Sequence, residues 1–287
     1  MSITTERDIG VLLDIDRYSV MSTPQIRRRR FPNDPDGRVT RRRLQHLKAN
    51  GLVNRMTSYI HCTSGGPASS LYYPSRKGGE LLAAHFGDVR FLATNTQAPP
   101  AHYAWHWQEL TDVHMTLDDA IAAQNEVELL GWINEFDIVN KDETLPEKRY
   151  RLFTLLREAP HRLVCAPDCA CLVAIDGESK ILLWEIDRAT SGAKQEAISK
   201  PPGYAELANR NLQRRFFPQA TVPGFTVVVV SPTAKRRDLL RQLFREVERA
   251  DMWRFAAKPE LTATATTILF EPVFYPCEGA PAPLIVR

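Results

Sequence analysis

The sequence has few cysteines and lacks the features that define several large classes of protein. Its five cysteines are an odd number at uneven spacing in 287 residues, which argues against a disulfide framework. No segment approaches the roughly 18 consecutive apolar residues of a membrane helix, and residues 1–6 lack the basic-then-apolar order of a secretion signal. A phosphate-binding P-loop and a glycine-rich dinucleotide turn are also missing. We therefore expect a cytoplasmic protein that does not bind a membrane.

The sequence does contain a local excess of positive charge. The whole chain carries a formal net charge of only +3. Residues 20–60 hold ten Lys or Arg and two Asp residues, a net charge of +8 in this segment alone. Such a patch on an otherwise near-neutral chain is typical of a surface that binds a polyanion. The alternative is that arginines 27–30 form only a solvated face, at least in part, because four consecutive side chains cannot all enter one groove.

Three short helices are predicted in and before the basic segment. Thr4 or Thr5 can cap a first helix over 6–14. A second helix, with a proline near each end, is predicted over 22–31, and a third over 39–50, where a glycine follows. Three short helices, the last of them basic, are the helix-turn-helix arrangement, whose recognition helix enters the major groove of DNA.

The next segment resembles the wing of winged-helix regulators. Residues 52–56 and 70–74 are predicted to form a hairpin whose tip, at 64–67, can reach the minor groove or the phosphates. We therefore predict that this region binds double-stranded DNA. Most of its arginines would neutralise phosphates, whereas Arg42, Arg43 and Gln45 could reach base edges. The predicted DNA-binding residues are Arg28, Arg38, Arg41, Arg42, Arg43, Gln45, His46, Lys48 and Arg55.

A polar segment that contains two prolines divides the chain. We predict a DNA-binding domain over 1–94, a linker over 95–101, a second domain over 102–275 and a tail over 276–287. The second domain alternates predicted strands and helices, which indicates an α/β or α+β architecture. The predicted helices cover 117–130, 204–216 and 235–251, and the predicted strands cover 163–175, 180–187, 225–230 and 265–270.

Three acids lie on two of these predicted strands. Asp168 follows a proline on the first strand, and the next strand, which returns after an Asp-Gly turn, carries Glu185 and Asp187. Residues two apart on a strand share a face, and an antiparallel neighbour could bring Asp168 close to them. Clustered carboxylates repel one another and normally hold a hard cation such as Mg²⁺. Asp168, Glu185 and Asp187 are therefore candidate catalytic residues, with Asp168 and Glu185 as metal ligands.

The pattern of a Pro-Asp pair followed by Glu-x-Asp across a hairpin resembles the PD-(D/E)xK nuclease fold. The resemblance implies a restriction-endonuclease-like mixed sheet flanked by helices, and an additional acid from a helix, for which Glu126 or Glu128 is the candidate. That fold usually places a lysine two residues after the second acid, where this chain has Asp187. Arg188 or Lys200 could replace the lysine, although the spacing does not show this.

The chain as a whole resembles the replication-relaxation family. The resemblance rests on the N-terminal domain followed by two motifs, Arg162-Leu163…Pro167-Asp168 and Leu183 to Thr190, which are similar to the family's PD and E-I-D-R-G-T signatures. Ala189 stands where the second signature has glycine. The resemblance implies a role in plasmid replication, relaxation or mobilisation.

Three functions remain open from the sequence. The first is a DNA-binding protein of a plasmid or mobile element whose nuclease-like domain is degenerate and serves as a scaffold for a homo-oligomer or for plasmid replication or mobilisation proteins. The second is a Mg²⁺-dependent DNA endonuclease that the winged helix directs to its target. The third is a transcription regulator, because winged helices often precede sensor domains. The first is favoured, since no lysine follows the acids at the usual spacing.

Overall fold

A computed structural model of the chain describes residues 5–57 and 70–285. It divides into two compact units, Met1–Met115 and Thr116–Arg287. The division lies later than the linker expected at 95–101, because Met115 packs in the core of the first unit with residues such as Leu12. None of the helices in the described part of the chain is long and apolar enough to cross a membrane.

The first unit combines helices with a small antiparallel sheet of strand order β1-β3-β2. Two of its helices begin at capping boxes, formed by Thr5 with Asp8 and by Ser22 with Gln25, which satisfy free backbone N–H groups at each helix start. Its elements are α1 (Glu6–Tyr18), β1 (Met21–Ser22), α2 (Thr23–Arg30), α3 (Arg38–Ala49), β2 (Val53–Thr57), β3 (Ser70–Pro74), α4 (Arg76–Phe86) and the first part of α5 (Ala104–Ala122).

The helices and strands expected in the first unit are present, with two differences. Helix α1 continues to Tyr18 rather than ending at 14, because its later residue Ile15 is also buried. On α3, Leu44 and Leu47 face the core as expected, but Val39 is 42% exposed. The expected hairpin tip at 64–67 lies outside the described residues.

The second unit is built on a six-stranded mixed sheet flanked by helices, which confirms the predicted class of fold. The strand order is β11-β10-β9-β8-β7-β4; β8, β9 and β10 run parallel, and the other neighbours are antiparallel. Its elements are β4 (Val127–Asn134), α6 (Pro146–Arg149), β5 (Thr154–Arg157), β6 (Leu163–Cys165), β7 (Cys169–Ile175), β8 (Glu178–Ile186), α7 (Ala193–Ser199), α8 (Pro201–Asn209), β9 (Phe225–Ser231), α9 (Ala234–Leu243), β10 (Trp253–Ala257), α10 (Lys258–Ala263) and β11 (Tyr275–Pro276).

Several expected boundaries in this unit are wrong. The helix expected over 117–130 is α5, which ends at Ala122 and is followed by the edge strand β4. The strand expected over 265–270 consists of turns, and its apolar character is explained by the burial of Ile268 and Leu269. The expected helix over 235–251 ends at Leu243, and the one over 204–216 is α8, which ends at Asn209.

Two features of the fold position the candidate site. The carboxyl ends of the parallel strands β8, β9 and β10 meet at one edge of the sheet, which is where ligands usually bind in open α/β sheets. Helix α8 lies close to β6, because Gly203 has no side chain: a Cβ atom there would be 2.3 Å from the carbonyl oxygen of Val164. This close approach brings the start of α8 towards the carboxylates of the sheet.

Candidate active site

Asp168 is fixed in the connection between β6 and β7. Its backbone N–H donates to the carbonyl of Trp184 at 3.1 Å, and its own carbonyl accepts from the N–H of Glu135 at 2.9 Å. Its carboxylate oxygen Oδ2 accepts a hydrogen bond of 2.6 Å from the N–H of Ile186. Asp168 therefore lies beside the end of β8, directly next to Glu185, as the sequence predicted.

Glu185 is a buried carboxylate, with a relative exposure of 3%. Its Oε2 accepts a hydrogen bond from the Lys200 ammonium and its Oε1 accepts one from the Tyr204 hydroxyl. Burial raises the pKa of Glu185 to about 7; the Asp168 charge acts in the same direction, and Lys200 and Tyr204 oppose the rise. Glu185 therefore gains and loses a proton near neutral pH, unlike an ordinary glutamate.

Lys200 places an ammonium beside the acids, although it does not follow them at the spacing of the motif. It directly precedes α8, and its ammonium contacts Glu185 and lies 3.5 Å from Glu196 on α7. Burial lowers the pKa of Lys200, but Glu185, Asp168 and Glu196 more than offset this, so the net pKa lies above its ordinary value. Lys200 therefore stays charged within a group of carboxylates.

Glu135 is a further carboxylate of the site that the sequence analysis missed. Its carboxylate lies within 4.8 Å of the Asp168 carboxylate, directly after β4. The expectation that Glu126 supplies this acid from a helix is wrong. Glu126 precedes the first residue of β4, Val127, which pairs with Ile175. The residue next to Asp168, Cys169, pairs instead with the last residue of β4, Asn134. The eight residues of β4 span about 26 Å at about 3.3 Å per residue.

Asp187 shares a face of the sheet with Glu185, and both line one cleft with Lys200. Its carboxylate, however, accepts two hydrogen bonds from the Arg236 guanidinium, at 2.8 and 3.0 Å, and a third from the Ser231 hydroxyl at 3.2 Å. A paired guanidinium and carboxylate in this bidentate form are strongly held. Asp187 thus connects β8 to the start of α9, and we assign it a structural contribution.

The cysteines near the site are buried thiols. Cys165, Cys169 and Cys171 are all less than 3% exposed, and burial raises the pKa of each. After burial and the neighbouring Cys171, the charges that raise the pKa of Cys169 are those of Asp168, Glu135 and Glu185. The three carboxylates therefore all lie near Cys169, the first residue of β7.

The predicted DNA-binding residues of the first unit fall into two groups. Arg38, Arg41, Arg42, Gln45 and Lys48 are exposed on α3, and Arg55 is exposed on β2, where it donates to the Ser70 hydroxyl at 3.0 Å. The side chains of the second group are engaged within the unit: Nε2 of His46 lies 3.4 Å from the Asn50 side-chain nitrogen, and Arg28 pairs with Asp112 at 3.3 Å.

Arg43 belongs to the engaged group. Its guanidinium donates to both oxygens of Asp8, a fully buried carboxylate of α1. Burial raises the pKa of Asp8. The hydrogen bonds from Arg43 and Thr5 lower this pKa by more than burial raises it, so the net pKa lies below its ordinary value. Arg29 and Arg30 similarly pair with buried Asp14. These arginines hold helices together rather than forming a solvated face.

Comparison with known proteins places the chain in a family. It matches the replication-relaxation family over residues 12–219, a range that includes α3 as well as Asp168, Glu185 and Lys200. The chain belongs to the replication-relaxation family. Membership in the replication-relaxation family implies a role in replication or relaxation.

Two further comparisons were made. No curated protein matches the chain. Among solved structures, the chain is similar to the SdaI restriction endonuclease, with 11% sequence identity and a TM-score of 0.26 over 88% of this chain and 85% of the other.

Proposed function

We propose that this chain is a DNA-binding protein of a plasmid or mobile element, and that its C-terminal unit cleaves phosphodiester bonds of DNA. Its family supports a role in replication or relaxation. The observation that carries the cleavage activity is the contact between the Lys200 ammonium and Glu185, next to Asp168. This contact removes the main reason for regarding the nuclease-like unit as degenerate, which was the missing lysine.

The residues of the cluster fit a hard divalent cation such as Mg²⁺. Carboxylate oxygens are the ligands that such a cation prefers, and Glu135, Asp168 and Glu185 lie together with one ammonium among them. Asp168 and Glu185 would hold the ion, with Glu135 beside Asp168. When bound, the ion would polarise a phosphate and lower the pKa of a water molecule.

Lys200 would act on the phosphate. Its ammonium is fixed between Glu185 and Glu196, so little reorganisation is needed when negative charge develops on a phosphate nearby. A preorganised cation is most effective where water is largely excluded, and the Lys200 side chain is only 32% exposed. An ammonium can also orient an attacking water by a hydrogen bond.

A second candidate function is supported by the same hydrogen bonds. Both oxygens of Glu185 are engaged, by Lys200 and Tyr204, and Asp187 is engaged by Arg236. Networks of acids and bases also perturb pKa values in purely structural settings. In this second candidate, the C-terminal unit is a degenerate nuclease fold that serves as a scaffold, and the protein is a non-catalytic accessory in replication, relaxation or mobilisation.

We assign the DNA-binding function to the N-terminal unit, as a winged helix. Support comes from the order of α1, α2, α3 and the hairpin β2–β3, in which α3 would be the recognition helix. Arg42 and Gln45, both exposed on α3, are the candidates for base contacts. Arg43 is left out of this assignment, because its guanidinium is engaged by Asp8.

Nicking of supercoiled plasmid by the full chain, with Mg²⁺ or Mn²⁺, tests the proposal. Wild-type protein is expected to nick only with metal. Asp168→Ala and Glu185→Gln should each lower the rate by about 100-fold or more, as removal of a preorganised charged group commonly does. The matched control is Glu178→Gln, an exposed glutamate at the other end of β8, which should keep the wild-type rate. If all four proteins bind DNA but show only the same metal-independent background of nicking, the result would favour a non-catalytic accessory protein instead.

A further inference from the structure

Three cations lie close in sequence to residues that form or hold the cleft of Glu185 and Asp187. Arg188 follows β8, Lys194 lies in the first turn of α7, and Lys235 lies in the first turn of α9. Within residues 5–57 and 70–285, these three side chains make no hydrogen bond or ion pair. We call Arg188, Lys194 and Lys235 together the basic rim.

The basic rim is brought together by one ion pair. Arg236 binds the Asp187 carboxylate at 2.8 Å and also donates to the carbonyl of Ser191 at 2.9 Å, which joins the end of β8, the loop before α7 and the start of α9. Each member of the rim lies within three residues of one of these contacts. Helices α7 and α9 also pack against each other, so the three cations occupy one region of the surface.

The neighbouring cations differ from the rim because acids neutralise them. Arg236 is paired with Asp187, Arg237 with Glu260, and Lys200 with Glu185. The rim therefore keeps three positive charges at the edge where the parallel strands end, near a cleft whose polar lining residues are three acids, Glu185, Asp187 and Glu196, and Lys200. This arrangement fits an extended anion with several negative charges, which can contact all three cations, better than a small anion bound inside the cleft.

We infer that the basic rim binds the phosphate backbone of DNA and holds the strand across the cleft. The inference rests on the proposed function, since its partner is the same DNA. Arg and Lys bind phosphates without selecting a sequence, so the rim would position DNA while the N-terminal unit selects the site. An acidic protein surface is the other partner that three unpaired cations could attract, and the experiment below excludes or selects it.

The salt dependence of DNA binding by the full chain tests the inference. The rim variant carries Arg188→Ala, Lys194→Ala and Lys235→Ala. The control variant carries Arg214→Ala, Arg215→Ala and Arg245→Ala, which remove the same charge from exposed positions beyond the opposite ends of α8 and α9. Each phosphate contact contributes about 0.9 to the slope of log Kobs against log salt concentration. The slope should fall in magnitude by about 2 to 3 in the rim variant and stay at the wild-type value in the control.

The possible outcomes separate the inference from the function on which it rests. An unchanged slope in the rim variant, or an equal fall in the control, would overturn the rim as a DNA contact, and an unchanged slope would leave an acidic protein as the partner. Wild-type protein that binds no DNA at all would contradict the proposed function itself. Both variants should unfold at the wild-type temperature, because none of the six side chains is buried.

Discussion

Lys200 donates a hydrogen bond to Glu185 from fifteen residues further along the chain. Helix α8, which begins directly after Lys200, supplies Tyr204, whose hydroxyl donates to the other oxygen of that carboxylate. The residue before α8 and the first turn of α8 therefore hold both oxygens of Glu185. This lysine thus comes from the junction between α7 and α8 rather than from the strand that carries the acid.

The stability of the protein should fall as the pH rises from about 4.5 to about 7. The pKa of Glu185 is about 7 in the folded protein, against 4.5 as its ordinary value. Glu185 therefore takes up a proton on folding in this range, and its contribution, complete below pH 4.5, is lost as the pH rises through 7. The difference corresponds to about 3 kcal/mol.

Urea unfolding between pH 4.5 and 8 measures this effect in wild-type protein and in Glu185→Gln. The variant should lack most of the decline, because glutamine does not titrate. Asp16 and Asp137, whose pKa values burial also raises, contribute equally to both proteins and cancel in the comparison. Parallel curves for the two proteins would show that Glu185 titrates as an ordinary glutamate.

Arg43→Ala should destabilise the N-terminal unit by about 3 kcal/mol, whereas Arg42→Ala should not. Removal of Arg43 leaves the buried Asp8 carboxylate without its guanidinium partner, and an uncompensated buried charge is strongly unfavourable. Arg42 is exposed on the same helix, so Arg42→Ala should weaken DNA binding and leave the stability unchanged. Chemical unfolding and DNA affinity, measured on both variants, check the pair. Equal stability of the two variants would contradict the structural assignment of Arg43.

Ala189→Gly should stabilise the protein by about 0.5 to 1 kcal/mol. Ala189 has φ +55°, a left-handed conformation that costs a residue with a Cβ atom about 1 to 2 kcal/mol. Glycine relieves this strain at some cost in the entropy of the unfolded chain. The signature that this segment resembles has glycine at this position, the residue that a left-handed backbone favours. The test is a thermal melt, in which Ala189→Val, the more bulky change, should melt below wild type.

Much of the fold follows from local rules that the sequence displays. Caps and prolines predicted the starts of α1 and α2, and the Asp-Gly pair predicted the turn between β7 and β8, where Asp176 and Gly177 both have positive φ. Asp168 and Glu185 could be placed together because the register of an antiparallel hairpin is determined by its turn. These features depend on residues that are close in sequence.

The residues that were missed depend on contacts distant in sequence. Nothing in the spacing shows that Lys200 contacts Glu185, because the position of α8 depends on the close approach of Gly203 to Val164, a residue distant in sequence. Glu135 was missed because the further acid was expected on a helix over 117–130, whereas the chain leaves the helix at Ala122 and forms β4, with Glu135 directly after it. Because β4 replaces the second half of the expected helix, the acid near Asp168 is Glu135, which follows β4, and not Glu126, which precedes it.

In the proposed function, Lys200 completes a cleavage site with Asp168 and Glu185. The most direct test is the rate of Mg²⁺-dependent plasmid nicking by Lys200→Met, compared with Lys180→Met, which removes a lysine from the other end of β8. If the claim is correct, Lys200→Met nicks at least about 100-fold more slowly than wild type, and Lys180→Met nicks at the wild-type rate. Nicking by Lys200→Met at the wild-type rate would contradict the claim.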